Sequence, residues 1–263
     1  MPPGTFAYPP AAMFLRFSVL ALLIAGIFLV LFLRRVMGAP SADNDRLAEI
    51  RRRVAPQLQE ELKRAHLKAG APVFIRIFKE ERELELWMRD EMGGRYTLFK
   101  KWAIATYGMA GLGPKLQEGD GRAPEGFYHV AARQLNPGSK YHLAFNLGYP
   151  NSLDQFHKRT GSALMVHGSN VSIGCFAMTD PVIEVIYLLM DAALRGKRQD
   201  EVSVQCFPFR MTEARLAQAE TESNEWAGFW RNLKEGYDLF EQTKVPPLVG
   251  QKDGKYVFRR RDP

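Results

Sequence analysis

The sequence predicts a mixed, mostly β domain with helices packed outside it, preceded by an N-terminal apolar helix. Three observations lead to this fold class. Residues 71–263 contain short segments rich in β-branched and aromatic residues, which are typical of strands. Two later stretches have helical periodicity, and one long apolar run lies near the N-terminus. With 46 % hydrophobic and 25 % charged residues, the 263-residue chain has the composition of a folded protein, which excludes disordered and collagen-like classes.

The apolar run extends from Phe17 to Leu33 without a charged side chain. As a helix it measures about 25 Å, slightly less than a hydrocarbon core of about 30 Å, so it can serve as a transmembrane anchor. Small residues at 38–42 also fit a cleaved signal peptide. Both interpretations place the rest of the chain outside the cytoplasm, whereas the arginines that follow the run favour the opposite orientation. Residues 1–38 are therefore assigned to a signal anchor or signal peptide.

Residues 39–70 are predicted to form a helical stalk or cover. They are rich in Arg, Glu, Leu and Ala, and their apolar residues recur at spacings of three and four. These residues are Leu47, Ile50, Val54, Leu58 and Leu62. Such spacing indicates an amphipathic helix with one face available for packing.

Residues 71–263 are predicted to form one domain in which strands dominate. Strands are expected at residues 73–78, 83–88, 96–102, 126–130, 141–146, 163–167, 202–207 and 256–258, where β-branched and aromatic residues alternate or cluster. Helices are expected at residues 181–194 and 211–240, the latter as one helix or two. Thr179, Asp180 and Pro181 have the residue types of an N-cap and a first helical turn, which explains them without a functional role.

Charge and cysteine content exclude several classes of function. The formal net charge of +7 favours contact with an anionic surface such as nucleic acid, anionic lipid or cell-wall polymer. Nucleic acid is not expected, because the charge is spread along the chain without a base-stacking or groove-reading motif. Two cysteines exclude a disulfide framework and a four-thiolate zinc site. We expect no cofactor and no metal, since Asp154 and His157 complete no zinc pattern with the later residues.

A glycine-dense stretch occupies residues 107–126. It lacks the Gly-Lys-Ser/Thr ending of a phosphate-binding loop and the spacing of a dinucleotide fingerprint, so a nucleotide site is not expected. A long surface loop and a loop that lines a substrate site both remain compatible with this composition.

The strongest chemical signal is the segment LMVHGSNVSIGCFAM at residues 164–178. It places His167 at the end of an apolar strand and Cys175 eight positions later. A cysteine nucleophile needs a base or backbone dipoles to form the thiolate, and N–H groups to hold an oxyanion. His167 can supply the base, and Gly174 permits a turn that directs the N–H groups of residues 174 and 175 toward an oxyanion. Further donors in the loop are Ser169 and Ser172.

The spacing of His167 and Cys175 fits a structural role as well as a catalytic one, and by itself leaves both open. Cys206 lies in an alternating segment without a neighbouring histidine. It is expected to be a core thiol.

At the residues just described, the sequence resembles the catalytic domain of the L,D-transpeptidase (YkuD) family, specifically its YafK-type branch. The family hallmark is a histidine-glycine pair followed by a Ser-X-Gly-Cys turn, which correspond here to His167-Gly168 and Ser172-Ile173-Gly174-Cys175. Further similar stretches lie at residues 73–79, 113–121, 123–128, 145–151, 207–212 and 232–237. The resemblance extends over residues 72–258.

The resemblance implies a β-rich catalytic fold in the bacterial periplasm, and attack by a cysteine on an acyl group of a peptidoglycan stem peptide. By the matching positions, Cys175 is the nucleophile and His167 is the base. Gly168 orients the imidazole through its carbonyl group, and Gly174 with Cys175 forms the oxyanion hole. Ser172 occupies the position of the family's serine. The N-terminal helix is expected to attach the enzyme to the inner membrane.

The sequence departs from the family pattern at Ile173, where most members have a second histidine, and in a shorter loop after the first histidine. The YafK branch is associated with hydrolysis of the amide that links the outer-membrane lipoprotein to diaminopimelate of peptidoglycan. We therefore expect a thioester at diaminopimelate and hydrolysis of that link. The alternatives are transpeptidation, which forms diaminopimelate cross-links or attaches protein, and a non-catalytic wall-binding module. The module has no physical need for both His167 and Cys175.

Overall fold

The computed structural model describes residues 42–90, 94–222 and 225–261. The described residues from Leu47 onward belong to one compact unit, and residues 42–46 belong to a second one. The apolar helix predicted at residues 17–33 therefore lies outside the described residues. Within the described ranges, no helix combines the length and the apolar character that crossing a bilayer requires.

Two five-stranded sheets and a two-stranded ribbon form the β structure of the described ranges. The first sheet contains β1 (Val73–Phe78), β2 (Glu83–Arg89), β3 (Tyr96–Ala103), β5 (Gly126–Ala131) and β10 (Glu201–Phe207). Its order is β3-β2-β1-β10-β5, with β1 and β10 parallel and the other pairs antiparallel. The ribbon pairs β11 (Leu248–Lys252) with β12 (Lys255–Arg259).

The second sheet carries the segment for which the sequence predicts a chemical role. Its strands are β4 (Thr106–Tyr107), β6 (Leu135–Asn136), β7 (Ala144–Asn146), β8 (Met165–His167) and β9 (Phe176–Ala177). The order is β4-β9-β8-β7-β6, and β8 and β9 are its parallel pair. All five strands are short, so much of this sheet's surroundings consists of loops.

The helices of the described ranges lie between and outside the sheets. They are α1 (Ala42–Arg64), α2 (Ser152–Phe156), α3 (Asp180–Arg195), α4 (Glu213–Thr221) and α5 (Ala227–Thr243), with a short 3₁₀ helix at Ala132–Gln134. The prediction of a mixed, sheet-rich fold is confirmed. The predicted helix at residues 211–240 is two helices, α4 and α5.

Two predicted strands are shorter than the sequence pattern indicates. The segment at residues 141–146 becomes a strand only at Ala144, because His142 has a φ of 70°, which a strand does not accommodate. The segment at residues 163–167 becomes a strand at Met165, because Ala163 has a φ of 53°. Both irregular stretches lie beside the strand that carries His167.

Helix α3 contacts strands of both five-stranded sheets and explains why they share one core. It contacts β1 and β10 of the first sheet, and β7 and β8 of the second. Its residues are buried on most of its circumference, as expected for a helix covered on two sides. The main core cluster includes Ile183, Ile186, Tyr187, Leu189, Met190 and Ala193 from this helix.

Helix α1 packs on the domain from Leu47 onward. Leu47, Ile50, Leu58 and Leu62 belong to the main core cluster. Two ion pairs of 2.5 Å, Arg51–Asp191 and Arg53–Glu184, fix α1 to α3. The helix predicted within residues 39–70 therefore lies on the domain as a cover, while the domain boundaries themselves stay predictions.

A second hydrophobic cluster joins α4, α5 and the ribbon to the other end of β1 and β10. It contains Phe78, Phe127, Phe207, Phe209, Trp230, Leu233 and Tyr256. Trp230 of α5 donates through its indole N–H to buried Glu125 at 2.7 Å, and Glu125 is also paired with buried Lys79 at 2.7 Å. Lys79 donates further to the carbonyl of Gly113 at 2.8 Å, which ties the glycine-dense loop to the core.

Candidate active site

Strand register brings His167 and Cys175 to one cavity. In the parallel pair of β8 and β9, Val166 is opposite Phe176 and His167 is opposite Ala177. Cys175 directly precedes β9 and reaches Met165, whose backbone N–H donates to Sγ at 3.3 Å. Because side chains alternate along a strand, His167 lies on the same face as Met165. The imidazole and the thiol therefore line the same cavity, which has a volume of about 410 Å³.

The tautomer of His167 follows from its hydrogen bond. Its Nδ1 lies 2.6 Å from the carbonyl oxygen of Gly168, and since a carbonyl only accepts, Nδ1 carries the proton. The unprotonated Nε2 is then the atom that can accept a proton in the cavity. His167 is buried, and this burial lowers the pKa of its imidazole below the ordinary 6.5, against the opposing effect of the Gly168 carbonyl.

The thiol of Cys175 is held between two backbone groups. Sγ accepts from the N–H of Met165 and donates to the carbonyl of Ala163 at 3.6 Å. Burial raises the pKa of the Cys175 thiol, while the Met165 N–H and the positive charge of Lys115 act in the lowering direction. A raised thiol pKa and a lowered imidazole pKa both favour the neutral form of the group. Because both residues line one cavity, Sγ and Nε2 are the candidate donor and acceptor of a proton there.

The turn after His167 is fixed to the start of α3. The N–H of Ser169 donates to Oδ1 of Asp180 at 2.7 Å, and the N–H of Thr179 donates to the carbonyl of Ser169 at 2.8 Å. Thr179 is the N-cap residue of α3 and a proline lies in the first turn, as predicted, but Thr179 has a φ of 69° and its side chain makes no capping hydrogen bond. The carboxylate of Asp180 binds the turn after His167. The sequence did not reveal this role, because the start of a helix was enough to explain an aspartate at that position.

Gly168 is enclosed so tightly that no side chain fits there. An added Cβ would lie 2.6 Å from Oδ1 of Asp180 and 2.8 Å from the carbonyl oxygen of Tyr141. Such distances are shorter than real Cβ contacts allow. The glycine thus lets three segments meet behind the imidazole.

The Ser-X-Gly-Cys turn is braced by its own serine. The hydroxyl of Ser172 donates to the carbonyl of Cys175 at 2.7 Å and accepts from the N–H of Gly174 at 3.3 Å. Gly174 has a φ of 153°, which lies in the region that favours glycine. Ser172, Gly174 and Cys175 all line the cavity, whereas Ser169 lies outside this lining and acts through its backbone. The oxyanion hole formed by residues 174 and 175 stays a prediction.

The glycine-dense loop forms one wall of the cavity, which favours the second of its two sequence interpretations. Lys115, Glu118 and Gly119 line the cavity with the histidine and the cysteine. Nζ of Lys115 donates to Asp120 at 2.7 Å and to the carbonyl of Gln117 at 3.0 Å. Burial acts to raise the pKa of Asp120, but hydrogen bonds from Lys115 and three backbone N–H groups outweigh it and lower this pKa to about 2. A fixed ammonium group therefore lies close to the thiol.

Sequence reasoning missed the other lining residues. They are Tyr141, Gly161, Ser162, Ala163, Leu164 and Val171, whereas Ile173, which also lines the cavity, is singled out by the family pattern. Tyr141 is half-exposed, and its ring lies on the imidazole of His167 with centroids 4.7 Å apart. Periodicity could not have found these positions, because they lie in irregular backbone.

Cys206 differs from Cys175 in its surroundings. It is fully buried in β10, and burial raises the pKa of its thiol far above the ordinary range. Both cysteines are free thiols, and the expectation of a core thiol at Cys206 is confirmed. Within the described part of the chain, no group of three or more His, Cys, Asp and Glu side chains is arranged to hold a metal ion.

Comparison with known proteins gives a close relative. No model of a protein family matches the chain. It is 46 % identical over 191 residues to the protein named "Putative L,D-transpeptidase YafK" of Escherichia coli K12, covering 73 % of this chain and 75 % of that protein. The protein of the same name from Escherichia coli O157:H7 matches with the same identity and coverage.

Solved structures resemble the chain more distantly. A mutant form of the helical cell shape determining protein Pgp2 of Campylobacter jejuni has a TM-score of 0.41 at 20 % identity, covering 71 % of this chain and 64 % of its own. Bd1075 of Bdellovibrio bacteriovorus has a TM-score of 0.39 at 16 % identity, covering 70 % of this chain and 78 % of its own.

Proposed function

Since this chain belongs to the L,D-transpeptidase family, in its YafK-type branch, we propose that it modifies peptidoglycan with Cys175 as nucleophile and His167 as base. One observation carries the proposal. The cysteine thiol and a histidine whose Nδ1 is tied to the Gly168 carbonyl line one open cavity of about 410 Å³. This is the pairing that thiol acyl transfer requires: a nucleophile, a base of fixed tautomer, and room for an acyl group.

The first half of the reaction forms a thioester. Nε2 of His167 takes the proton of the Cys175 thiol as Sγ attacks the carbonyl carbon of the stem-peptide amide. The carbonyl electrons move to oxygen, and the backbone N–H groups of residues 174 and 175 stabilise that oxyanion, which replaces the Ser172 hydroxyl as acceptor of the Gly174 N–H. When the oxyanion collapses, the C–N bond breaks and the imidazolium gives its proton to the leaving amine. The acyl group then remains on Sγ.

The second half decides the type of enzyme. If water attacks the thioester and gives its proton to Nε2, Sγ leaves as thiolate, takes the proton back, and a carboxylic acid is released. If an amine attacks, a new amide forms. We propose water as the acceptor and the amide between diaminopimelate and the outer-membrane lipoprotein as the bond that is cut. The YafK-type resemblance supports this choice, as does the replacement of the family's second histidine by Ile173, an exposed apolar side chain at the rim.

The proposed location is the bacterial periplasm, with Phe17–Leu33 as the attachment to the inner membrane. The charge-free apolar run supports this location, as does a substrate that lies outside the cytoplasm. Protease treatment of spheroplasts tests it. Digestion of the domain without disruption of the inner membrane is expected, and protection until lysis would contradict the proposal.

The decisive experiment is mass spectrometry of muropeptides from lipoprotein-bearing sacculi after incubation with the full chain in detergent. Loss of lipoprotein-linked peptides without new cross-links is the expected result. Cys175→Ala should abolish this loss, and Cys206→Ala is the matched control that removes the other thiol and should retain activity. New diaminopimelate cross-links or fresh lipoprotein attachment would identify a transpeptidase instead. No change with any substrate would favour a wall-binding module.

A further inference from the structure

The loop that leads into β7 lays an aromatic ring on the imidazole of His167. The rings of Tyr141 and His167 have centroids 4.7 Å apart and planes inclined by 30°. Tyr141 lies at the cavity mouth with 48 % of its surface exposed, whereas His167 is only 2 % exposed. The tyrosine ring therefore covers a face of the imidazole that would otherwise be open to solvent.

The backbone beside this ring is tied to the turn after His167. The N–H of Tyr141 donates to Oγ of Ser139 at 3.0 Å, and the N–H of Gly168 donates to the carbonyl of Leu143 at 3.0 Å. The carbonyl oxygen of Tyr141 approaches Gly168 so closely that an added Cβ would be 2.8 Å from it. The segment that carries the tyrosine and the turn that carries the histidine thus pack as one unit.

The next residue, His142, fixes the segment to α3. Its φ of 70° is unusual for a residue with a side chain, so the backbone there needs a compensating interaction. Nε2 of His142 donates to Oε1 of Glu184 at 2.8 Å. Glu184 is buried on α3 and also accepts from Arg53 of α1 at 2.5 Å. The carboxylate of Glu184 thus joins α1 and α3 to the segment that carries Tyr141.

We propose that Tyr141 is a positioning residue for the His167 imidazole, held over that ring by the hydrogen bond between His142 and Glu184. The inference rests on the proposed role of His167 as the base. The Nε2 lone pair lies in the plane of the imidazole, so a ring on its face leaves it accessible. When the imidazole takes the thiol proton, the new cation faces an aromatic π surface, which stabilises it. Because this charge develops only during acyl transfer, the effect is expected in kcat.

The test compares Tyr141→Phe, Tyr141→Ala and His142→Asn with the unchanged full chain. Tyr141→Ala should lower kcat by about tenfold at unchanged KM, since it removes a cation–π contact. Tyr141→Phe should retain the kcat of the unchanged chain, because the aromatic ring alone makes the cation–π contact. His142→Asn should fall between them, since Asn tolerates a positive φ and Arg53 still pairs with Glu184. A muropeptide assay gives both constants, and thermal unfolding verifies that each variant is folded.

A spectroscopic signature separates positioning from a loss of structure. In NMR spectra of the chain with ¹³C-labelled histidine, the His167 ring signal is identified by its absence in His167→Gln. The ring current of Tyr141 should shift this signal upfield. It should move in Tyr141→Ala and stay in Tyr141→Phe.

Three results would overturn the inference: an unmoved signal with unchanged kcat in Tyr141→Ala, a change in KM alone, or equal losses in the Phe and Ala variants. Failure of the proposed function is a different result, because Cys175→Ala would then remain active. In that case the His167 signal still decides whether Tyr141 holds the imidazole.

Discussion

His167 donates from Nδ1 to the carbonyl oxygen of Gly168, the next residue in the chain, across 2.6 Å. This short contact leaves Nε2 as the basic nitrogen without the help of a carboxylate. It depends on a backbone turn that only a residue without a side chain can make here, because Gly168 is enclosed by Asp180 and Tyr141. The orientation of the proposed base is therefore built into the fold behind it.

Gly168→Ala should disable the enzyme. Its Cβ would meet Tyr141 backbone oxygen at 2.8 Å and Oδ1 of Asp180 at 2.6 Å, so the loop behind His167 must move. We expect a loss of about 1–3 kcal/mol in the free energy of unfolding, as for other overpacked sites, and a larger loss in kcat. Urea denaturation and the muropeptide assay measure the two quantities.

Gly228→Ala is the matched control for that variant. Gly228 lies in α5, and a Cβ added there meets nothing within 4 Å. Its stability should be unchanged or slightly higher, because alanine favours a helix. Full activity in Gly168→Ala would show that the orientation of the base does not require a residue without a side chain at position 168.

The pH dependence of kcat/KM should be broad. Burial lowers the pKa of His167 below 6.5, so the imidazole stays neutral, and able to accept a proton, to a lower pH than an exposed histidine. The acid half-point should therefore lie below pH 6.5. Burial raises the pKa of Cys175, so the rate of its alkylation by iodoacetamide should reach half of its maximum above pH 9. An alkylation half-point near neutral pH would instead indicate a preformed thiolate–imidazolium pair.

Lys115→Met should make the thiol of Cys175 harder to ionise. The ammonium group of Lys115 acts to lower the pKa of the thiol, so its removal should move the alkylation half-point to higher pH. Asp120 retains the N–H donors of Leu116, Gln117 and Arg122, which keeps its carboxylate solvated by the backbone.

Lys100→Met provides the control for this charge change. Lys100 pairs with Glu61 of α1 and is not among the charges that act on the Cys175 thiol. An equal shift in both variants would indicate a general effect of net charge, and no shift in Lys115→Met would contradict a role for its charge.

Ser172→Ala should weaken the turn that precedes the proposed nucleophile. Its hydroxyl links the carbonyl of Cys175 with the N–H of Gly174. Loss of these bonds should cost about 1 kcal/mol of unfolding free energy, the usual contribution of a hydrogen bond. The rate should fall by more than this stability loss implies, because the backbone donors of the turn then lose their direction. Ser172→Thr keeps the hydroxyl and should retain most of the stability and most of the rate. Equal rates in the Ala and Thr variants would contradict a bracing role of Ser172.

Local sequence determined much of the fold. The β-branched and aromatic run at residues 73–78 forms β1, and the residues with helical periodicity after Pro181 form α3. Each pattern lies within one segment and is compatible with few kinds of secondary structure. The strands at residues 141–146 and 163–167 were overestimated. His142 and Ala163 have positive φ values, which depend on tertiary contacts and cannot be predicted from the residue type.

The candidate site divides in the same way. The sequence by itself predicted which residues carry the chemistry, because its His-Gly and Ser-X-Gly-Cys segments match the pattern of the family that it resembles. Only the tertiary structure decided how they are arranged. Parallel pairing of β8 with β9 brings thiol and imidazole to one cavity, and Asp180, Lys115 and Tyr141 reach it from distant parts of the chain. Such neighbours depend on packing between elements, for which no local pattern of residues exists.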